Sequence, residues 1–177
     1  LPSSTQIISL NGKSFEEICS EILKLGEQLD AEKKAIQHVN KAIERKDKLD
    51  QLPKHSHRVL CLEWIDPYFS AGHWVPEQIE MAGFHSAIGK RGEISRALTI
   101  DEIVASEPDV IAVICCGYKI EENKSFVETL KNNSEINFLK PFASKNVYAF
   151  DSDSFFSRPT TRIIEGAEQL RDAILNK

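Results

Sequence analysis

The chain has 177 residues, of which 41% are hydrophobic and 28% charged, and its formal net charge is −5. These are globular values that exclude a disordered or fibrous chain, and a chain this long builds a core without disulfide staples. Lys and Arg form no basic face that would track a phosphate backbone, and no apolar run approaches the roughly 20 residues of a membrane helix.

Residues 1–5 are short and polar, and no leader pattern is expected there. Gln6 to Leu10 reads as a short strand closed by Asn11-Gly12. Ser14 with Glu17 makes a capping box for a first helix, in which Phe15, Ile18, Cys19, Ile22 and Leu25 recur at helical spacing up to Gly26. Asp30 can cap the next helix. Residues 31–50 carry Ala35, Ile36, Val39, Ala42, Ile43 and Leu49 on one narrow stripe, and charged residues crowd the other faces. A narrow stripe predicts a helix that mostly faces water. Pro53 ends it, and residues 51–57, with His55 and His57, read as a solvated linker.

Beyond this point strands and helices alternate. Arg58 to Glu63 is a buried strand. Pro76 opens a helix that runs to Ala82 and stops at Gly83. Thr99 with Glu102 is a second capping box. Asp109 to Cys116 is a near-continuous apolar run, as a central parallel strand requires. A helix over 121–131 follows, then a strand over 146–151, then a last helix from about Thr160 that carries Ile163, Ala167, Leu170 and Ile174. This order predicts an α/β fold, a three-layer Rossmann-like lobe with a parallel sheet, preceded by a long helix. Ligands of such sheets sit outside the carboxyl ends of the strands, which singles out three loops.

The first loop, residues 63–77, holds both tryptophans, Trp64 and Trp74, with Asp66, Tyr68, Phe69 and His73. Broad apolar rings with polar tips suit a large, flat, partly apolar ligand. The alternative is that they pack beneath the loop. The second loop contains Gly117 and Tyr118, with Gly117 allowing a close backbone approach. The third, residues 151–159, contains Phe155, Phe156 and Arg158. Arg158 precedes Pro159 and is therefore held extended, where its guanidinium can bind an acidic group or clamp the loop. No catalytic constellation is present: the sequence lacks G-x-S-x-G, G-x-x-x-x-G-K-[ST] and G-x-G-x-x-G. Gly89 to Gly92 reads as a solvated basic bend. The four cysteines, Cys19, Cys61, Cys115 and Cys116, lack zinc spacing and are expected as buried thiols. No metal site and no catalytic cofactor are expected.

Leu62 to Glu77 closely resembles the loop that opens the C-terminal lobe of periplasmic cobalamin-binding proteins. Pro108-Asp-Val-Ile with Cys116-Gly-Tyr118 resembles their next strand and turn. Tyr148 to Asp151 with Phe155 to Pro159 resembles their last strand and its loop. These proteins belong to the helical-backbone metal-receptor class, which serves ABC importers of vitamin B12, haem and iron siderophores. The resemblance implies a substrate-binding component, not an enzyme, that binds a corrinoid in an interlobe cleft, in the periplasm or otherwise outside the cytoplasm, and delivers it to a permease. It divides the chain into residues 1–30 as the end of an N-terminal lobe, 31–52 as the interlobe helix and 53–177 as the C-terminal lobe. It further implies that most of a second lobe would precede Leu1. A half-cleft alone would bind weakly and could pair with a second copy through its exposed apolar wall. Ligand contacts are expected from Trp64, Asp66, Tyr68, His73, Trp74, Tyr118, Phe155, Phe156 and Arg158. Glu77, then Glu80, are expected to dock on the permease. Two alternatives stand beside this reading: a haem or ferric-siderophore carrier, and a single lobe reused for protein interaction or enzymatic chemistry.

Overall fold

The computed structural model describes residues 7–176. Residues 7–10 adopt no regular structure, so the strand expected over 6–10 does not form there; Gln6 lies outside the described residues. Ser14 caps α1 (Phe15–Gln28) by accepting the Glu17 amide. The Glu17 carboxylate reaches back to the Lys13 amide, and Glu21 holds the amides of Asn11 and Gly12. Two acidic side chains of α1 thus pin the segment ahead of it.

Helix α2 (Glu32–Asp50) has 19 residues and so spans about 28 Å. Its buried side is Ala35, Val39, Ala42 and Leu49. Ile36 and Ile43 of the expected stripe are half-exposed instead, at 49% and 41%. The middle of the helix is fastened to the C-terminal helix α8 (Ile163–Leu175) and the segment before it: Arg45 pairs with Glu165 at 3.0 Å and forks onto Glu168, and His38 bonds Thr161, two residues ahead of α8, at 2.8 Å.

The sheet begins with β1 (Arg58–Ile65), longer than expected by two residues. Its end turns at Asp66–Pro67 and returns as β2 (Tyr68–Ser70), antiparallel to β1. Much of the expected first loop is therefore a hairpin. After α3 (Val75–Met81) the short β3 (His85–Ser86) pairs in parallel with the start of β1, on the edge that β2 occupies further along. On the other edge lies β4 (Val110–Val113), reached through α4 (Ile100–Ala105), and then β5 (Val147–Ala149), both parallel. The order is β2-β1-β4-β5, a parallel core with one antiparallel edge. The remaining helices are α5 (Ile120–Lys131), α6 (Lys140–Ala143) and α7 (Ser152–Phe155). The Thr99–Glu102 box forms both of its reciprocal bonds, whereas in the Ser14–Glu17 box the acid takes the Lys13 amide in place of the Ser14 one.

Alternation along the strands divides the core in two. Val59, Cys61, Val110, Ala112 and Ile114 face α1, α2, α3 and α8. Leu60, Leu62, Ile111, Val113 and Cys115 face α4, α5 and residues 136–139. The lobe is thus three layers, and the strand-end loops that follow β1, β4 and β5 open on one side of it. His55 and His57, expected in a solvated linker, are half-buried against Phe84 at ring distances of 5.7 and 6.0 Å. Among the described residues no helix is long and apolar enough to cross a membrane.

Candidate functional site

Two grooves open at the carboxyl ends of the strands. The first, of about 340 Å³, is lined by Glu63, Trp64, Pro67, Phe69 and Cys116. The β1–β2 hairpin builds most of it. Alternation places Tyr68 and Ser70 inward and Phe69 outward, into the groove. Trp64 is 39% exposed, and one side of its ring rests on Tyr118 at 5.7 Å. Tyr118 in turn meets Phe126 edge-on at 5.0 Å, so the indole is braced from beneath. Exposing a braced indole has a hydration cost that a ligand's apolar face would relieve.

Glu63 sits at the back of this groove. Its carboxylate accepts the Gly72 amide at 3.3 Å and the Ser95 hydroxyl. Burial pushes its pKa above the ordinary carboxylate value, against the lowering effect of those two bonds. Gly72 is needed there because a Cβ would lie 2.3 Å from the Ser95 nitrogen. Cys116, expected buried, is exposed, whereas Cys115 before it is buried with its thiol pushed up to about 12 by desolvation. Gly117 follows with φ +80, and a Cβ added there would meet nothing within 4 Å, so left-handed backbone rather than close approach calls for glycine. Its amide donates to Ser157, which Ser152 ties to the Ile114 carbonyl.

The second groove, of about 490 Å³, lies between the pinned segment and the first loop: Leu10, Asn11, Gly12 and Lys13 on one side, His73, Trp74 and Pro159 on the other. His73 has φ +55, and its backbone is held from both directions by Glu93 and Gly92. Its ring lies 5.8 Å from that of Trp74, whose Nε1 donates to the Phe156 carbonyl at 3.1 Å. The indole bond couples the first loop to the third.

The expected ligand contacts therefore separate. Trp64, His73 and Trp74 line the grooves, and Tyr118 backs Trp64. Asp66 is exposed at the hairpin turn. Tyr68 is buried in the core, and its hydroxyl accepts from Asn133 at 2.8 Å. Phe156 is 2% exposed and packs on Phe150. Phe155 is half-buried beneath the Arg162 guanidinium, 4.8 Å from its ring. Arg158 is exposed and pairs with Asp153 at 2.7 Å. Aromatic identity alone did not separate the core rings from the groove rings. Glu63, Phe69, Cys116, Pro159 and the segment Leu10 to Lys13 were not among the expected contacts; Cys116 lies just beyond β4, where the buried run ends.

The docking expectation for Glu77 is corrected by burial. The residue is 3% exposed; its carboxylate accepts the Phe15 amide at 2.7 Å and meets Arg91 at 3.3 Å. Glu80, one turn on, is exposed and pairs with Arg91 at 3.0 Å. Among the described residues no group of three His, Cys, Asp or Glu side chains could hold a bare metal ion.

Known proteins share this fold. A family model described as periplasmic binding protein matches residues 3–154. Comparison with curated sequences gives no match. Among solved structures, an ABC transporter substrate-binding protein from Listeria monocytogenes is similar, with a TM-score of 0.84 and 19% identity over 96% of this chain and 68% of that one. IsdE of S. aureus complexed with heme gives 0.81 and 18%, covering 97% and 69% of the two chains. The vitamin B12 binding protein BtuF of Vibrio cholerae gives 0.71 and 17%, covering 97% and 65%. At these identities the likeness establishes the fold, and the chain spans about two thirds of the length of each. The match over most of its residues, on a three-layer lobe with grooves at its strand ends, shows that the chain belongs to the periplasmic binding protein family.

Proposed function

We propose that the strand-end face is one wall of the binding site of an ABC importer's substrate-binding protein, and that its ligand is a metal chelate with a flat apolar face, a corrinoid first. The observation that carries this reading is the pair of partly exposed tryptophans, Trp64 and Trp74, each fixed by its neighbours at the rim of a separate groove. Fixed rings lose little entropy when a ligand covers them. The chelate would bring its own metal, in keeping with side chains that offer rings and few donors. The face would bind without chemical change and act outside the cytoplasmic membrane, where the family works.

In this reading residues 31–52 are the helix that joins two lobes, residues 1–30 the end of the first lobe and 53–177 the second. Glu80, exposed on α3, is the group offered to a permease. A second reading, haem, draws on His73, whose imidazole makes no hydrogen bond among the described residues and faces a groove; a haem iron takes such a nitrogen as axial ligand.

Calorimetric titration of the chain with cyanocobalamin, haemin and a ferric hydroxamate tests the proposal. Saturable binding of the corrinoid supports the first reading, and a Soret shift that disappears in His73→Ala supports the second. Heats of dilution alone for all three, at ligand concentrations up to millimolar, would contradict both.

A further inference from the structure

The two grooves differ in chemistry in a way that constrains the ligand. Trp64, Pro67 and Phe69 give the first an apolar lining, and its one carboxylate, Glu63, is already engaged by Gly72 and Ser95. The second is lined by Lys13, whose ammonium makes no ion pair among the described residues, and by His73, whose imidazole makes no hydrogen bond among them. The two arginines of the third loop and its helix are engaged: Arg158 with Asp153, and Arg162 over the Phe155 ring. The Lys13 backbone is not free to drift, because Glu17 holds its own amide and Glu21 holds the two before it. Those bonds also occupy the carboxylates of Glu17 and Glu21 with backbone donors.

From this asymmetry we infer that the ligand is bipartite: an apolar ring system covers Trp64 and Phe69, while a pendant anionic group, a carboxylate or a phosphodiester, enters the second groove and meets Lys13, with His73 as hydrogen-bond donor. The two grooves are joined through Glu63, which lines the first and binds the amide of Gly72, the residue before His73. The inference has one ligand span both. The inference rests on the proposed function, and it goes further by making charge on the periphery of the chelate, rather than its metal, a determinant of selection. Arm and ring contacts together would also compensate for the shallowness of each groove.

Paired ligands provide the test. Haemin and haemin dimethyl ester differ in their carboxylates; cyanocobalamin and dicyanocobinamide differ in the phosphodiester arm and the base it carries. Each is titrated against the chain and against Lys13→Gln and Lys13→Arg, at low and high salt. Within the pair that binds, the anionic member is expected to bind about five- to tenfold tighter. Lys13→Gln and high salt should remove most of that advantage without affecting the uncharged member, and Lys13→Arg should retain it. Which pair shows the effect identifies the anion as carboxylate or phosphodiester. Equal binding of both members, or an advantage unchanged in Lys13→Gln, overturns the inference and leaves the proposed function standing. Failure of all four ligands to bind overturns the two together.

Discussion

The Glu77 carboxylate accepts the backbone amide of Phe15 at 2.7 Å across 62 positions of sequence, with the Arg91 guanidinium 3.3 Å from its other oxygen. A helix leaves its first amides unsatisfied, and here an acid from another helix meets one of them inside the protein. This contact fastens α1, and through it the segment that walls the second groove, onto α3. Replacing Glu77 by Ala should therefore cost about 2–4 kcal/mol, the range for removing one partner of a buried charged contact. Urea unfolding measures the loss, and hydrogen exchange at the Phe15 amide should accelerate well beyond that of the sheet amides. A variant as stable as wild type would show that the acid is not structural.

Tyr68 and Trp64 lie four residues apart in the same aromatic stretch and should separate experimentally. Tyr68→Phe removes the bond to Asn133 and should destabilise by about 1 kcal/mol, with chelate binding unchanged. Trp64→Ala removes a ring that is 39% exposed, so it should change stability less and binding more. Equal effects of the two on binding would show that the core and groove rings have been divided incorrectly.

The thiols give a chemical test of the same face. Cys19, Cys61 and Cys115 are buried, and burial pushes all three pKa values up, Cys19 to about 11 and Cys115 to about 12. The thiolate is the reactive form. Native protein at neutral pH should therefore label quickly at Cys116 alone, and at the other three only after unfolding. A ligand seated on Trp64 should slow the Cys116 reaction. Rapid labelling of a second thiol would contradict the packing described.

Glu63 sets a pH dependence. Desolvation raises its pKa in the fold above the unfolded value, despite the bonds from Ser95 and Gly72. A raised carboxyl contributes stability that is fully present below the unfolded pKa and is lost as pH rises through the folded one. Glu63→Gln should therefore flatten the decline of stability on the alkaline side of the ordinary carboxylate range. Urea midpoints measured across that range check the sign, and parallel curves for variant and wild type would refute it.

Much of this architecture was legible because a few residues left no alternative. The apolar run ending at Cys116 had to be covered on both faces, and the Thr99 and Ser14 caps marked helix starts with their own hydrogen-bond partners. The hairpin was not legible. Its return strand has only three residues, Tyr68–Ser70, and follows a two-residue turn, so its alternation is too short to stand out from an aromatic loop. The same shortness concealed that Phe69 faces outward and Tyr68 inward. Glu77 was misplaced because an acid in the first turn of a helix is usually exposed there. Only the fold brings the Phe15 amide to it. The second groove was invisible for the same reason: Lys13 and His73 are 60 positions apart, and their meeting is a product of tertiary structure.

If Trp64 and Trp74 border the ligand, their emission should report it. A chelated cobalt or iron quenches indole emission when it lies close, and these two residues are the only tryptophans in the chain. Cyanocobalamin and haemin should each be titrated into wild type, Trp64→Phe and Trp74→Phe while emission is followed. The expected result is saturable quenching of wild type by at least one chelate, and saturable quenching of the single tryptophan left in each variant. A chelate that binds by calorimetry while quenching neither indole in a saturable way would place the site elsewhere and contradict the assignment of this face.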